Sequence, residues 1–384
     1  METKYDWESN IKMNILTLRA LGLWPKGDTT YKPGLYMLHA AILLTVLLLG
    51  HLFFQAVNIY FIRTNLEAVT GTIYVLLVEM IVVFKVNYLV RNMGMVKQLL
   101  SILKTDMFQP KNSEQIGAIH TSLWFWRIIY NILLYSCIGT NMFWAIYPLM
   151  DRSAREEKRL PFLAWYPFDT SKSPAYEITY IYQVISVCTI TTLHVNIDAL
   201  VAALNVFNGS QFDILCDNLR NLHKLGGSIA ANFLICVKHH KEILSFSDRF
   251  NKFLNWILFI QFFIFTFCIG MTLFQLTVVA PMSNEFYSLV AYGLAITTQI
   301  FMYCWFGNEV EIKSSKIPYA AFECDWTSFS LDIKKMLLFF TLRAQKPVKL
   351  SALNLFYLSL ETFLRILKTS YSYFALLQQV NAEK

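Results

Sequence analysis

The sequence predicts an all-α polytopic membrane protein: seven transmembrane helices, a cytoplasmic amino terminus and an extracellular carboxyl terminus. Three observations carry this expectation. First, the 384 residues are 55% hydrophobic and 16% aromatic but only 15% charged, a balance more apolar than that of ordinary soluble domains. Second, seven apolar stretches run over 35–58, 68–90, 128–150, 176–207, 253–280, 286–307 and 350–380. Each is long enough to cross a hydrocarbon core of about 30 Å at about 1.5 Å per residue. Third, Lys and Arg in the amino-terminal segment and in the second, fourth and sixth connections outnumber those on the other face by roughly three to one, which places the former inside. Residues 1–384 form one seven-helix membrane domain.

The segment before the first span is polar and has no cleavable signal pattern, so the first apolar run is expected to stay as an anchor. The net charge of +7 is spread over connections and forms no basic face interleaved with aromatics, so it encodes orientation and not nucleic-acid binding. Cys137, Cys188, Cys268 and Cys304 fall in spans, and Cys216, Cys236 and Cys324 in cytoplasmic segments. No disulfide framework is implied. The glycosylation-like triplet Asn208-Gly209-Ser210 falls on the inner side and should stay unmodified.

Two inner connections are long and helical in pattern. In 208–252, Phe212, Leu215, Leu219, Leu222 and Leu225 recur at helical spacing, Gly226-Gly227-Ser228 interrupts, and a second amphipathic stretch leads into the fifth span. In 308–349, residues 331–345 are amphipathic and stop before Pro347. Both read as cytoplasmic anchor segments that extend the membrane helices, either holding subunits together or capping their own chain. The third connection, 151–175, passes from the charged run Arg152, Arg155, Glu156, Glu157, Lys158 and Arg159 to LPFLAWYPFD. It suits a lid over the outer ends of the bundle, or a solvated loop with interfacial aromatics.

Inside the spans, Glu79 and Lys85 are six apart, share no helical face, and each needs a partner elsewhere. Ser136, Gly139 and Phe143 lie along one face of the third span. Tyr180, Val184 and Cys188 come from the fourth, Ile73, Tyr74 and Leu77 from the second, and Tyr292 from the sixth. Together they would line an aromatic pocket with a few hydroxyls, suited to a small apolar ligand, although helix packing accounts for each residue equally well. His239 and His240 sit in a basic run, and His194 and Asp198 share a face, without the further ligands a metal site requires. No catalytic constellation, phosphate loop, cofactor motif or metal site is present in the sequence, and no enzyme is expected.

The last stretch, 350–380, is expected to be a pore-lining helix, because its stripe Thr362, Arg365, Thr369, Ser372, Leu376 and Val380, with Gln379 beside the last pair, is polar and then apolar. Such a stripe avoids lipid. It faces either neighbouring helices, with Glu361 and Arg365 paired, or a wet axis shared by several subunits, where Leu376 and Val380 would form an apolar constriction.

The motifs YCWFGNEV from Tyr303, CDW from Cys324, Pro347, SLETFLRILKTSYSYFALL from Ser359, and YPFD before the fourth span resemble those of insect odorant receptors. Phe322 stands where that family often has Tyr, and Leu353-Asn354 where a small residue is common. The resemblance implies an odorant-specific subunit of a ligand-gated non-selective cation channel. It would assemble as a heterotetramer with a co-receptor subunit, in the plasma membrane of a sensory dendrite, and bind small volatile hydrophobic odorants. It maps the gate to Leu376, Gln379 and Val380 and the pocket to the second, third, fourth and sixth spans. A gustatory-type channel and a seven-helix G-protein-coupled receptor are the alternatives.

Overall fold

The computed structural model describes residues 4–25, 27, 31, 34–64, 66–150, 158–223 and 228–382, the side chains of 66, 67, 147 and 380–382 excepted. Ten helices and one small hairpin occur among them. Helix α1 (Lys12–Ala20) precedes α2 (Leu35–Ile62), which contains a π-helical stretch at Leu44–Leu49. Then come α3 (Leu66–Leu103), α4 (Ser113–Met150), α5 (Ala175–Arg220), α6 (Ile229–Val278) and α7 (Asn284–Ser315). The short α8 (Ile317–Phe322) and α9 (Leu331–Ala344) lead to a hairpin of β1 (Ser351–Ala352) and β2 (Phe356–Tyr357), and α10 (Leu360–Ala382) closes the chain.

Six of these helices, α2 to α7, are long and apolar enough to cross a membrane. The seventh span is α10, whose 23 residues reach across a hydrocarbon core at about 1.5 Å each but are amphipathic. Helix α5 is the axis of the bundle: every residue from 193 to 212 is buried, across the point after 207 where the apolar span was expected to pass into its amphipathic extension. The expected 176–207 span therefore continues unbroken to Arg220, and α6 begins well before the expected 253. Its N-cap Ser228 accepts a hydrogen bond from the Ala231 amide at 3.2 Å, the role that hydroxyl residues fill at helix starts. Asn208, in the glycosylation-like triplet, is fully buried and accepts from the Ser247 hydroxyl at 2.9 Å, so it presents no acceptor to a glycan.

Two expectations are corrected. The amino-terminal segment is not merely a polar lead: Trp7, Ile11 and Leu18 are fully buried, with the Trp7 ring edge-on to Phe207 at 5.2 Å. The amide of Asn14 donates to the Asn196 side chain at 3.3 Å. These apolar residues are too sparse among polar ones to register as a hydrophobic run, yet from the 3-10 turn Glu8–Ile11, its N-cap Trp7 and α1 they are buried in the core, against α5. The last helix, expected from 350, starts at Leu360. Residues 350–358 instead form the hairpin, with Ser351 opposite Tyr357 and Ala352 opposite Phe356. Leu353 and Asn354 hold φ of 51° and 58°, and the Leu355 amide donates to the Ala352 carbonyl at 3.0 Å. Two successive left-handed residues make a type I′ turn, which no helix can contain.

The YCWFGNEV motif has a packing cause. A Cβ added at Gly307 would lie 2.2 Å from the Leu358 Cβ, so only glycine lets α7 touch the chain entering α10. Gly307→Ala is expected to lower stability by about 1–3 kcal/mol through overpacking, read as a lower thermal midpoint of the detergent-solubilised protein. An unchanged midpoint would contradict this tight contact.

Candidate ligand cavity and pore helix

A cavity of about 70 Å³ lies between α3, α4, α5 and α7, in the half of the bundle that the third connection covers. Its apolar wall includes Val75, Val78, Cys137, Trp144, Val187, Ile190, Tyr292 and Ile296. Glu79, Thr140, Asn141, Thr191, His194 and Gln299 add polar groups. Cys137, Thr140, Asn141 and Trp144 are spaced three and four apart, which gathers them on one face of α4. Trp144 lies 5.6 Å from the Tyr292 ring and edge-on to Phe162 at 5.0 Å, and Tyr74 is edge-on to Tyr292 at 4.9 Å. Val75 and Trp144 also line an outer chamber of about 650 Å³, roofed by Arg159, Leu160, Pro161, Phe162 and Leu163.

That roof belongs to the third connection. The Gln183 side chain accepts from the Phe162 amide at 3.0 Å and donates to the Phe162 carbonyl at 3.1 Å, while the Trp165 amide donates to the Phe54 carbonyl at 3.0 Å. The lid reading thus fits residues 158–166, whereas the run Arg152, Arg155, Glu156 and Glu157 lies outside the described residues. At the end of YPFD, Asp169 accepts from the Ser171 hydroxyl at 2.6 Å and meets Lys172 at 3.1 Å. The Ser171 hydrogen bonds chiefly hold this carboxyl down at about 2.

The four spans expected to form the pocket line this cavity, but most of the residues expected there do not. Of the ten, Tyr292 lines the inner cavity and Tyr74 the outer chamber, with the Tyr292 hydroxyl donating to the Tyr74 carbonyl at 3.1 Å. Val184 and Cys188 line a separate groove between α4 and α5, with Cys137, Asn141, Thr191 and Val195 forming the wall it shares with the cavity. Ser136, Gly139 and Phe143 are one position out of register. The Ser136 hydroxyl donates to its own helix at Leu133, Gly139 has open space where a Cβ would be, and Phe143 is 39% exposed. The Tyr180 hydroxyl donates to the Ala145 carbonyl, and Ile73 and Leu77 are half-buried without lining either space.

Glu79 and Lys85 find the separate partners that their spacing required. The Glu79 carboxylate accepts from the Gln55 amide at 3.2 Å and lies 3.3 Å from the His51 ring nitrogen. Lys85, fully buried, is paired with Asp198 on α5. Asp198 also accepts from the Tyr303 hydroxyl at 2.7 Å and the Gln261 amide at 3.4 Å, with His194 at 3.4 Å. His194 belongs to the cavity wall, so the Asp198 cluster, which reaches Gln261 on α6, lies directly beside the cavity.

Helix α10 packs on α6 and α7. Thr362, Ile366 and Ser370 are buried, Tyr373 stacks on Phe267 at 4.5 Å, and Phe363 meets Phe301 at 5.6 Å. A Cβ on Gly270 would stand 3.0 Å from both the Ser370 carbonyl oxygen and the Tyr373 Cβ, so α6 is trimmed where α10 crosses it. On the other side Arg365, Thr369, Ser372, Leu376 and Gln379 are exposed, Leu376 by 57%. Arg365 pairs with Glu361 at 2.8 Å, and the Thr369 and Ser372 hydroxyls donate to carbonyls one turn back. The stripe satisfies itself locally yet faces away from the chain's own body, except at Thr362. Val380 is in the helix, with its side chain outside the described residues.

A helical multi-pass membrane protein with a cavity between four of its spans and an amphipathic final helix is the class these features define. Residues 65–371 match the family model described as 7tm Odorant receptor, and the chain belongs to that family. It is 26% identical to odorant receptor Or1 of Anopheles gambiae, over 99% of this chain and 97% of that one. It is 24% identical to odorant receptor 46a, isoform A, of Drosophila melanogaster over 95% and 96%. The solved olfactory receptor OR5 of Machilis hrabei, in complex with eugenol, superposes with a TM-score of 0.85 over 98% of this chain and all of that one, at 17% identity.

Proposed function

We propose that this chain is the odorant-binding subunit of a ligand-gated, non-selective cation channel. It assembles with a co-receptor subunit into a heterotetramer in the plasma membrane of a sensory dendrite. The observation that carries this reading is the pairing, within one chain, of an aromatic-walled cavity in the outer half with an uncovered polar-to-apolar stripe on α10. One such helix cannot enclose a pore, so equivalent helices must complete it. Leu376, Gln379 and Val380 would then surround the constriction, with Thr369 and Ser372 on its inner side.

The cavity's volume of about 70 Å³ falls well below the roughly 300–1,000 Å³ of ordinary ligand pockets. A volatile of ten heavy atoms must push its walls apart, and it opens the channel only by binding the expanded state better than the resting one. Expansion moves α5 and α7, and both lead to α10: Asp198 through Gln261 to α6, and Phe301 directly to Phe363.

The test is current recording from cells expressing the chain with its co-receptor across an odorant panel. Trp144→Ala is expected to shift half-effective concentrations by about tenfold or more for the preferred ligands, as truncation of a central aromatic anchor does, and to reorder the panel at unchanged surface expression. Phe143→Ala, one position away but off the cavity, should leave the ranking unchanged. Equal response profiles for Trp144→Ala and the unaltered chain would remove the cavity from the account. Amino-terminal tags should be hidden and carboxyl-terminal tags accessible on intact cells, and the reverse would contradict the proposed orientation.

A further inference from the structure

The geometry points to a ligand that donates a hydrogen bond, such as a small alcohol, with Glu79 as its acceptor. This rests on reading the inner cavity as the ligand site. Glu79 lines that cavity and is 3% exposed. Its Oε1 accepts from Gln55 at 3.2 Å and lies 3.3 Å from His51, while its Oε2 has no hydrogen-bond partner. A buried carboxylate oxygen without a donor carries a larger penalty than a neutral polar atom in the same state, because hydrogen bonds to ionised groups are about twice as strong. A guest that supplies the missing hydrogen therefore gains more at Oε2 than at any neutral group of the wall.

The remaining wall makes the demand one-sided. The hydroxyl hydrogens of Thr140, Thr191 and Tyr292 are already given, to the Ser136 carbonyl at 2.9 Å, Asn141 Oδ1 at 3.3 Å and the Tyr74 carbonyl at 3.1 Å. Each retains lone pairs, so these hydroxyls can only accept. The amides of Asn141 and Gln299 can donate, but they serve an ether oxygen as well as an alcohol oxygen and so do not separate the two. The neutral acceptors of this wall, the His194 ring among them, also favour an alcohol over its ether isomer, but the largest share of the discrimination falls to the carboxylate, whose hydrogen bonds are about twice as strong.

The experiment uses the purified full-length protein in detergent. It compares thermal stabilisation by two isomeric pairs, benzyl alcohol against anisole and 1-hexanol against 1-methoxypentane. Ligands that bind only the folded state raise its midpoint in proportion to occupancy, and each alcohol should reach half-effect at about a tenfold lower concentration than its isomer. In Glu79→Gln the amide oxygen keeps the place that accepts from Gln55, which puts an NH₂ group where Oε2 stood. The preference should vanish or invert towards the ethers. Equal stabilisation by both isomers of the unaltered protein, stabilisation by neither, or an alcohol preference that survives Glu79→Gln would overturn the assignment. The comparison on unaltered protein stands without the variant. Selective binding of the alcohols by a protein whose expressed complex passes no ligand-evoked current would retire the channel reading and leave this one standing.

Discussion

Leu376→Ala is expected to raise resting current by about tenfold when the chain is expressed with its co-receptor, and to lower the ligand concentration needed for opening. Leu376 is 57% exposed in the single chain, and in the proposed assembly its side chain is covered where equivalent helices converge. An apolar ring of leucines closes a pore by excluding water and by mutual burial. Removing three carbons from each contributing copy, at about 0.8 kcal/mol per buried CH₂, withdraws up to about 2 kcal/mol per copy from the closed state alone. A factor of ten corresponds to about 1.4 kcal/mol, within that allowance even after discounting for incomplete burial. Patch recording of leak current at matched surface expression measures it. Unchanged leak together with unchanged ligand sensitivity would remove Leu376 from the gate.

The second large effect concerns stability. Lys85→Met leaves Asp198 fully buried with its charge unopposed, and breaking a buried pair from one side costs about 3–5 kcal/mol. Cell-surface labelling should fall severely and the thermal midpoint with it. The double substitution Lys85→Met with Asp198→Asn removes both charges and should recover most of the loss, since the Tyr303 and Gln261 hydrogen bonds can be re-formed with an amide. Single and double variants of equal stability would show that the pair is not what holds α3 to α5.

What was legible in the sequence follows from which signals are local. Helix type and number are written in long apolar runs, and the partnered burial of Glu79 and Lys85 follows from the cost of charge at membrane depth. The cavity's four helices could be named, but of its lining residues only Tyr292 was, with Tyr74 in the neighbouring chamber. Rotating α4 by one residue exchanges Ser136, Gly139 and Phe143 for Cys137, Thr140, Asn141 and Trp144, and the angle at which a helix meets its neighbours is set by the whole bundle. A stripe of polar groups interrupting a greasy helix, Thr140 with Asn141, was the available sign. The segment 350–359 reads as apolar and spanning until two left-handed residues, Leu353 and Asn354, turn it back. Asn354, a residue that tolerates the left-handed region, was the available sign, but Leu353 beside it is not one of the usual turn residues.

The central claim is that the exposed side of α10 meets water along a shared axis. Single cysteines at Thr369, Ser372 and Leu376, probed in intact cells with a membrane-impermeant thiol reagent, test it most directly. Modification at these positions, faster during ligand exposure than at rest and accompanied by altered current, is the predicted result. Ser370, buried against α6 on the opposite face, should not react. Positions 369, 372 and 376 inert in both the resting and the stimulated complex, as at 370, would contradict it.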